Sequence, residues 1–170
     1  AGFKTFWLSN QRPVGRFESL VTKIATASNI YQVKNTAVDG SITPLDEVLL
    51  PLVDLALEDE APLKFIVIHP LGTHMRYSDR YSKPFQIFKG KSNSNYNYDH
   101  AHKTSNAYDN SLLYHDNFIK EIHERLKVLR EPSYMIYLSD HGEEVYSDID
   151  FAGHIDDNPT RSMYEVPFFI

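Results

Sequence analysis

Strand-like and helix-like patterns of apolar residues alternate along the first part of the chain. The apolar pattern predicts strands at residues 4–9 and 30–33. Between them, apolar residues recur at helical spacing, at Phe17, Leu20, Val21 and Ile24. This order predicts a strand, a helix and a second strand in succession.

A second predicted helix has clear start signals. Thr43 is expected to be its N-cap, and Pro44 its first helical residue. The acidic residues Asp46 and Glu47 follow in the first turn. The predicted apolar stripe consists of Leu45, Val48, Leu49, Leu52, Leu55 and Ala56. Pro51 interrupts this stripe, so the helix is expected to kink or split there.

The third predicted strand is followed by a long polar segment. Residues 64–69, "KFIVIH", form a continuous apolar run of the kind found in strands that are buried on both faces of a parallel sheet. Residues 70–104 are polar and rich in Ser, Asn, Tyr and Lys. A connection of this length is expected to be a functional loop with little regular structure.

The clearest helical pattern covers residues 105–131. Its predicted buried face consists of Leu112, Phe118, Ile119, Ile122, Leu126 and Leu129. Pro132 ends this helix, and the apolar run at residues 134–138 is predicted to form another buried strand.

The alternation of strands and helices predicts an α/β fold, with a mostly parallel sheet sandwiched by helices. The 170 residues have the size of one ordinary domain. The sequence enters a strand almost at once and ends in the apolar run "VPFFI", so the fold is expected to be incomplete at both ends. Residues 1–170 are therefore predicted to be part of a single domain.

The composition limits both partners and chemistry. Hydrophobic residues make up 42% of the chain, which is enough for a packed core. The net charge of -6 is spread along the sequence, which argues against a nucleic-acid-binding surface. The chain has no cysteine, so a metal site would use histidine and carboxylate ligands. No apolar run approaches the roughly 20 residues that span a bilayer.

Polar side chains with metal-binding chemistry follow two of the predicted strands. His69 ends the third strand and His74 comes five positions later, whereas Asp140 and His141 directly follow the last strand. Further candidate ligands come soon after, at Glu143, Glu144 and His154. Because parallel strands end at one edge of the sheet, both groups are expected to lie there together. Such a set suits zinc or manganese bound by oxygen and imidazole.

The pair Asp140–His141 also has a purely structural interpretation. Asp140 could cap the turn at Gly142, with His141 merely exposed. Likewise, Glu143 and Glu144 could orient His141, or they could belong to a solvated turn. The residue types alone leave both interpretations open.

The other histidines and the 70–104 loop are expected to have structural roles. His69 is predicted to be buried and hydrogen-bonded. Surface positions are predicted for His100, His102, His115 and His123. The loop aromatics are expected to pack over the sheet rather than touch lipid: Tyr77, Tyr81, Phe85 and Phe88. The basic residues there are expected to be solvated, with contact to a lipid phosphate as the alternative: Arg76, Arg80 and Lys83.

Several segments together resemble one family, in matching order over nearly the whole chain. They are "GFKTFWLSNQ" (2–11), "FIVIHPLGTHMRYSDRY" (65–81), "NAYDNSLLYHDNFI" (106–119), and "YLSDHGEEV" (137–145) with the later "GH" and "VPFFI". This combination resembles the phosphoethanolamine transferases of Gram-negative inner membranes, within the alkaline phosphatase and sulfatase superfamily.

The resemblance implies roles for four residues. Asp140 and His141, in "SDHGE", match ligands of a catalytic zinc, with manganese as the alternative ion. His74 and His154 match histidines that contact the phosphate or a second metal, which implies catalytic and substrate-binding roles. The segment around His154 reads "AGHIDD" here rather than a plain "HG". The match at Asn106, Tyr108, Asp109 and Asn110 implies a helix opening beside the site, without a catalytic role.

The resemblance also implies a function that this chain does not complete by itself. The family's threonine nucleophile and a further acidic zinc ligand precede the segment that matches residues 2–11. The implied reaction transfers phosphoethanolamine from phosphatidylethanolamine to an envelope acceptor such as lipopolysaccharide, through a phospho-threonine supplied from outside this chain. The implied location is the periplasmic face of the inner membrane, with a membrane anchor that is also outside this chain, so the fragment alone is expected to be inactive.

Other readings of the same residues stay open. A sulfatase, a phosphodiesterase or a phosphoglycerol transferase of the same superfamily would keep the metal site and change the substrate. A non-catalytic binding domain that has kept the fold is the alternative from another functional class.

Overall fold

The structure is a computed structural model that describes residues 2–14, 18–36 and 43–170. The chain divides into two compact units. One unit comprises Ala1–Gly72 and Phe118–Arg125, and the other comprises Thr73–Asn117 and Leu126–Ile170. In the described ranges, no helix is long and apolar enough to cross a membrane.

The first unit contains a parallel sheet, which confirms the predicted α/β class. Its described strands are β1 (Lys4–Ser9), β2 (Ile30–Val33) and β3 (Lys64–His69), in the order β2-β1-β3. The central strand β1 buries Phe6 and Leu8. The prediction that β3 is buried on both faces is wrong, because β3 has one strand neighbour among the described residues and Phe65 is exposed.

The first helix, α1 (Glu18–Ala25), lies where the pattern predicted it, but its apolar residues are not buried. Leu20, Val21 and Ile24 are exposed, and the small Ala25 is buried instead. Periodicity identifies a helix without showing which side meets the rest of the protein. Phe17, the remaining member of the predicted stripe, lies outside the described residues.

The second predicted helix is split, as expected from Pro51. A 3-10 helix covers Asp46–Leu49, and α2 (Leu50–Glu58) follows with Pro51 in its first turn, where no intrahelical N–H bond is lost. Thr43 is not the N-cap, since the 3-10 helix begins after Leu45 without a side-chain cap. The buried stripe is Leu49, Leu52, Val53 and Ala56. The prediction for Leu55 is wrong, because this residue is exposed.

A buried carboxylate organises the carboxyl edge of the parallel sheet. Asp46 accepts hydrogen bonds from the side-chain amide of Asn10 and from the backbone amides of Leu71 and Gly72, each at 2.8 Å. Asn10 directly follows β1, and Leu71 lies two residues beyond β3. Asp46 therefore ties together the segments that leave two neighbouring strands.

The helix α3 (Asp99–Lys127) begins earlier than predicted. The end of the supposed 70–104 loop is therefore helical, and short 3-10 helices occur at Tyr77–Asp79 and Lys83–Phe85. The buried face of α3 includes Ala101, Ser105, Ser111, Tyr114, His115, Phe118 and Ile122. The predictions that Leu112 is buried and that His115 is on the surface are both wrong. Polar residues occupy this face, which an apolar pattern cannot reveal.

The second unit contains two short antiparallel ladders. β4 (Tyr137–Leu138) pairs with β7 (Phe168–Phe169), and β5 (Glu144–Val145) pairs with β6 (Ala152–Gly153). The prediction of a buried strand at residues 134–138 is wrong, because only its last two residues are in a strand and Ile136 and Leu138 are exposed. Ile136 lies before this ladder, and in the described chain the two-residue pairing leaves Leu138 uncovered.

Candidate metal centre

Three of the predicted site histidines lie together in the second unit. The ring centroids of His141 and His154 are 3.7 Å apart, and those of His74 and His154 are 6.2 Å apart. His74 comes from the segment between β3 and α3, whereas the other two lie near β5 and β6. His74 thus lies near the histidines that follow the last predicted strand, but the expected reason is wrong, because in the described residues β4 pairs antiparallel with β7 and is not part of the parallel sheet.

The β5–β6 ladder explains why Glu143 and His154 are neighbours. Glu144 lies opposite Gly153 in this antiparallel pair. The next residues outward along the two strands are therefore Glu143 and His154, whose side chains meet at the end of the ladder. The atoms Oε1 of Glu143 and Nδ1 of His154 are 3.1 Å apart.

Glu143 is a buried carboxylate with a partner on each oxygen. Its Oε2 accepts a hydrogen bond of 2.6 Å from the hydroxyl of Tyr77, which is itself buried. Burial, followed by the bond to Glu143, raises the pKa of Tyr77, so the hydroxyl remains a donor at neutral pH. The solvated-turn interpretation of Glu143 is wrong, and its close histidine partner is His154 rather than His141, which is 4.0 Å away.

The three histidines share one tautomer. Nδ1 of His74 and Nδ1 of His141 lie 2.7 and 3.0 Å from the backbone carbonyl oxygen of the residue that follows each. His154 uses the carboxylate of Glu143 in the same way. Carbonyl and carboxylate oxygens only accept hydrogen bonds, so Nδ1 carries the proton in all three rings. In the neutral ring this leaves the lone pair of Nε2 for a metal ion or another donor.

The donor set of the cluster fits a zinc ion. His141, Glu143 and His154 each offer one ligand atom, and these atoms all lie within 4.8 Å of one another. Ligands at zinc-bond distances in a tetrahedral site are roughly 3.4 Å apart, so the three side chains would have to draw closer around an ion. Two imidazoles and one carboxylate are donor types that zinc prefers, and Glu143 can serve either as a ligand or, through its bond to Nδ1 of His154, as the outer partner that orients this ring. The residues present therefore fit a metal.

Asp140 lies beside this cluster but outside it. Its side chain is 86% exposed, and its Oδ1 accepts a hydrogen bond from the backbone amide of His141 at 3.1 Å. The same oxygen is 3.9 Å from Nε2 of His141. The first contact fits the turn-capping interpretation, and the second leaves Asp140 within reach of an ion on His141.

Glu144 is fully buried and supports the strand that carries the cluster. Its carboxylate accepts hydrogen bonds from four donors: the backbone amides of Ser147 and Asp148 and the hydroxyls of Thr160 and Ser162. Burial raises the pKa of Glu144, but these hydrogen bonds outweigh it and hold the pKa below its ordinary value. The solvated-turn interpretation is therefore wrong for Glu144 too, and its role is to join two loops.

The histidines outside the cluster have structural contacts. His69 is half-buried, with Nδ1 3.3 Å from the hydroxyl of Ser9, which confirms its predicted hydrogen-bonded role but not full burial. His102 is on α3 rather than in a loop and contacts Ser92. His115 is buried, with Nε2 3.2 Å from the hydroxyl of Tyr137. His100 and His123 are exposed, as predicted.

The aromatic residues of the 70–104 segment pack against α3, in partial agreement with the sequence analysis. Tyr77 contacts Tyr108 edge to face at 5.1 Å, and Phe85 contacts Tyr114 in the same way. Phe88 is exposed. No sequence pattern marks Tyr77 as part of the site, and its place three residues after His74 is the one signal that points to it.

The basic residues of this segment are only partly solvated. Arg80 donates to the carbonyl oxygen of His74 at 2.8 Å, and Arg76 pairs with Asp79 at 3.1 Å.

Two residues of α3 that belong to the segment resembling the family hold neighbouring backbone in place. Asn110 binds the backbone of Phe88, and Asn106 donates to the carbonyl of Gly90 at 2.7 Å. They lie within α3 instead of opening it.

Comparison with known proteins gives the family. The sulfatase family model matches residues 1–170. The chain belongs to the sulfatase family. Among curated relatives, phosphoethanolamine transferase EptC of Escherichia coli K12 is 33% identical over 174 aligned residues, covering 100% of this chain and 30% of that protein. Phosphoethanolamine transferase CptA of Salmonella typhimurium LT2 is 34% identical over 180 residues, with 100% and 30% covered.

Solved structures agree with this assignment. The crystal structure of the C-terminal periplasmic domain of EptC from Escherichia coli, in complex with Zn, has a TM-score of 0.90 and 32% identity, covering 98% of this chain and 48% of that one. The soluble domain of lipooligosaccharide phosphoethanolamine transferase A from Neisseria meningitidis, with 22% identity and a TM-score of 0.73, covers 98% and 50% and shows the same fold. The chain spans about half of these structures.

The resemblance to phosphoethanolamine transferases is thereby confirmed, together with the α/β fold of alkaline phosphatase and sulfatase type. The chain corresponds to part of its curated relatives, since it spans 30% of the length of EptC and of CptA.

Proposed function

We propose that this chain is part of a phosphoethanolamine transferase that moves phosphoethanolamine from phosphatidylethanolamine to an envelope acceptor such as lipopolysaccharide. The observation that carries the proposal is the convergence of His74, His141 and His154, each with Nδ1 against an oxygen acceptor, next to a buried carboxylate. The relatives named as phosphoethanolamine transferases support this reaction among those of the family.

The metal in this proposal is zinc, with Asp140 and His141 as ligands and His154 and Glu143 alongside. The nitrogen and oxygen donors support zinc, as does the Zn complex of the Escherichia coli periplasmic domain. Bound zinc would supply a Lewis acid that offsets negative charge on the phosphoryl oxygens. Manganese would find fewer of the oxygen ligands that it prefers.

His74 and His154 are proposed to act on the phosphoryl group. With Nδ1 already bound to a carbonyl or carboxylate oxygen, each ring presents Nε2 as its second polar atom. A protonated Nε2 can donate to a non-bridging oxygen or give its proton to the leaving group, and a neutral one can accept. The nucleophile is the threonine that the family resemblance places outside this chain, so residues 1–170 alone are expected to be inactive.

The proposed location is the periplasmic face of the bacterial inner membrane. Solved relatives include the C-terminal periplasmic domain of EptC from Escherichia coli. A lipid donor requires that the active site reach the membrane surface, and an anchor outside residues 1–170 would hold it there.

The decisive experiment measures diacylglycerol release from phosphatidylethanolamine vesicles by the full-length protein, with and without a zinc chelator. Asp140→Ala tests the site, and His123→Ala is the matched control, because His123 is exposed on α3. We expect chelator-sensitive release that Asp140→Ala lowers at least 100-fold and His123→Ala leaves within twofold, about 2.7 kcal/mol against 0.4 kcal/mol in activation free energy. Absence of release by folded, zinc-supplemented protein would refute the proposal.

The family assignment itself motivates a second set of reactions for the same site. A family model named for sulfatases matches the whole chain, so aryl sulfate, phosphodiester and phosphatidylglycerol substrates belong in the same assay. Turnover of one of them, without release from phosphatidylethanolamine, would favour that sibling activity. Turnover of none would favour a non-catalytic binding domain.

A further inference from the structure

We propose that Tyr77 is a positioning residue that fixes the orientation and tautomer of His154 through the carboxylate of Glu143. The inference rests on the proposed function for its activity readout. Its structural readout is independent of that function.

The three side chains form one continuous chain of hydrogen bonds. The hydroxyl of Tyr77 donates to Oε2 of Glu143 at 2.6 Å, and Oε1 of the same carboxylate lies 3.1 Å from Nδ1 of His154. Each carboxylate oxygen of Glu143 thus has one partner in this chain, Tyr77 for Oε2 and His154 for Oε1. The bond from Tyr77 therefore determines how the carboxylate is rotated, and this rotation determines where the His154 ring is held.

Tyr77 is well placed to serve as the fixed end of this chain. Its side chain is almost completely buried, and its ring packs edge to face against Tyr108 of α3 at 5.1 Å between centroids. A buried ring held by packing has little freedom to move its hydroxyl. His154, at the other end, is the exposed member of the chain and faces the neighbouring rings of His74 and His141.

The need for such an anchor distinguishes His154 from the other two histidines. His74 and His141 place Nδ1 against the backbone carbonyl oxygen of the next residue, an acceptor that the chain itself holds in place. His154 instead relies on a side chain with several rotatable bonds. Without a second contact, that side chain could turn away and release the imidazole to exchange tautomers.

Tyr77→Phe is the appropriate test because it keeps the buried ring and removes the hydroxyl. Oε2 of Glu143 then loses its donor, and the carboxylate is no longer held at both ends. Loss of an outer hydrogen-bond partner of this kind typically lowers activity or metal affinity about 10- to 100-fold. We expect kcat for diacylglycerol release to fall at least about tenfold with KM within twofold, since the change affects orientation rather than substrate contact.

The structural readout is the tautomer of His154 in the full-length protein. The ring nitrogens are observed by ¹⁵N NMR of histidine-labelled protein after chelation, and His154→Gln identifies the signals. We expect a single Nδ1–H form in the unaltered protein and a mixture with the Nε2–H form in Tyr77→Phe. Tyr164→Phe, which removes a hydroxyl from an exposed ring, is the matched control and should change neither readout.

A second pair of variants keeps the test valid if Tyr77→Phe does not fold. Glu143→Gln retains an oxygen that can accept the Nδ1 proton of His154, whereas Glu143→Ala retains none. We expect Glu143→Gln to keep the Nδ1–H form and to be at least about tenfold more active than Glu143→Ala. Equal tautomer mixtures in the two variants would overturn the inference.

The possible outcomes separate the inference from the proposed function. A His154 tautomer that Tyr77→Phe leaves unchanged overturns the inference, whether or not the protein releases diacylglycerol. A changed tautomer with kcat within twofold of the unaltered protein overturns the catalytic part of it. Absence of release by the unaltered protein refutes the proposed function alone, because the tautomer measurement still reports the Tyr77–Glu143–His154 chain.

Discussion

Gly142 lies so close to Ser162 that a Cβ atom on the glycine would come within 2.0 Å of the Ser162 carbonyl oxygen. The amide of Gly142 also donates to the carbonyl of Met163 at 2.9 Å. The turn between His141 and Glu143 is thus pressed directly against the backbone of another loop. A glycine is needed here because of this close approach.

Gly142→Ala should therefore separate the two loops and disturb the metal cluster. Because the obstacle is a backbone carbonyl, it cannot rotate away, and overpacking of this kind costs about 1–3 kcal/mol. We expect the free energy of unfolding to fall by about that amount and zinc affinity to fall at least about tenfold. Urea unfolding and calorimetric zinc titration measure the two effects.

Gly90→Ala provides the control for this prediction. A Cβ on Gly90 meets nothing within 4 Å, but its φ of +76° lies in the left-handed region. The alanine should cost about 1–2 kcal/mol of backbone strain and leave zinc binding unchanged. If both variants lose stability and neither loses zinc affinity, the link between the Gly142 turn and the metal cluster is wrong.

Glu144 offers a graded test of buried hydrogen bonding. One of its oxygens accepts from backbone amides, which can only donate, and the other accepts from the hydroxyls of Thr160 and Ser162, which can reverse their bonds. In Glu144→Gln, the amide oxygen can face the backbone and the NH₂ group the hydroxyls. We expect a loss of about 1–2 kcal/mol for Glu144→Gln and about 3–5 kcal/mol for Glu144→Ala by urea unfolding. Equal losses would contradict this account.

The lowered pKa of Glu144 also predicts how the free energy of unfolding depends on pH. Because the pKa of Glu144 in the folded protein lies below its ordinary value of 4.5, the unfolded chain binds the proton more readily. The stabilisation is therefore complete above about pH 4.5 and is lost as the pH falls through the folded-state pKa. Unfolding free energies measured from pH 7 to pH 3 should converge for the unaltered protein and Glu144→Gln. A constant difference over this range would show that Glu144 does not titrate as described.

Sequence patterns predicted which segments form elements better than which side chains are buried. The strands at residues 4–9, 30–33 and 64–69 and their parallel order are confirmed, because runs of apolar residues separated by a helix leave few alternatives. Leu55 and Leu112 were assigned to buried faces and are exposed. A helical period gives the width of an apolar stripe, but the neighbouring elements decide which side of the helix is covered.

The candidate site was predictable only in part, for a similar reason. His74, His141 and His154 could be named from local words in the sequence, and the structure brings them together. The bond between Tyr77 and Glu143 joins residues 66 positions apart, and no local pattern requires it. Its existence depends on the burial of both side chains, which is a property of the packed unit rather than of either segment.

Asn110 should be essential for the order of the segment before α3. Its Oδ1 accepts hydrogen bonds from the backbone amides of Ile87 and Phe88, both at 2.9 Å, and its Nδ2 donates to the carbonyl of Phe88. Asn110→Ala removes three bonds to a buried side chain, so we expect a loss of about 2–4 kcal/mol in unfolding free energy. Chymotrypsin should also cut after Phe88 at least about tenfold faster, because local opening becomes easier.

Asn158→Ala is the matched control for Asn110, since Asn158 is exposed. It should change neither the stability nor the rate of cleavage. Cleavage after Phe88 at an unchanged rate in Asn110→Ala would show that other contacts hold this segment.

Zinc binding can decide between the two roles that the geometry leaves to Asp140. Its Oδ1 lies 3.1 Å from the backbone amide of His141, as a turn cap would, and 3.9 Å from Nε2 of the same residue, as a second ligand of one ion could. If Asp140 is a ligand, Asp140→Ala and His141→Ala should each weaken zinc binding at least about 100-fold, because each removes one direct bond to the ion. If Asp140 is only a cap, Asp140→Ala should cost about 1 kcal/mol of stability and change zinc affinity less than about threefold. Calorimetric titration of the full-length protein, with His123→Ala as control, measures the affinities, and we expect the ligand outcome.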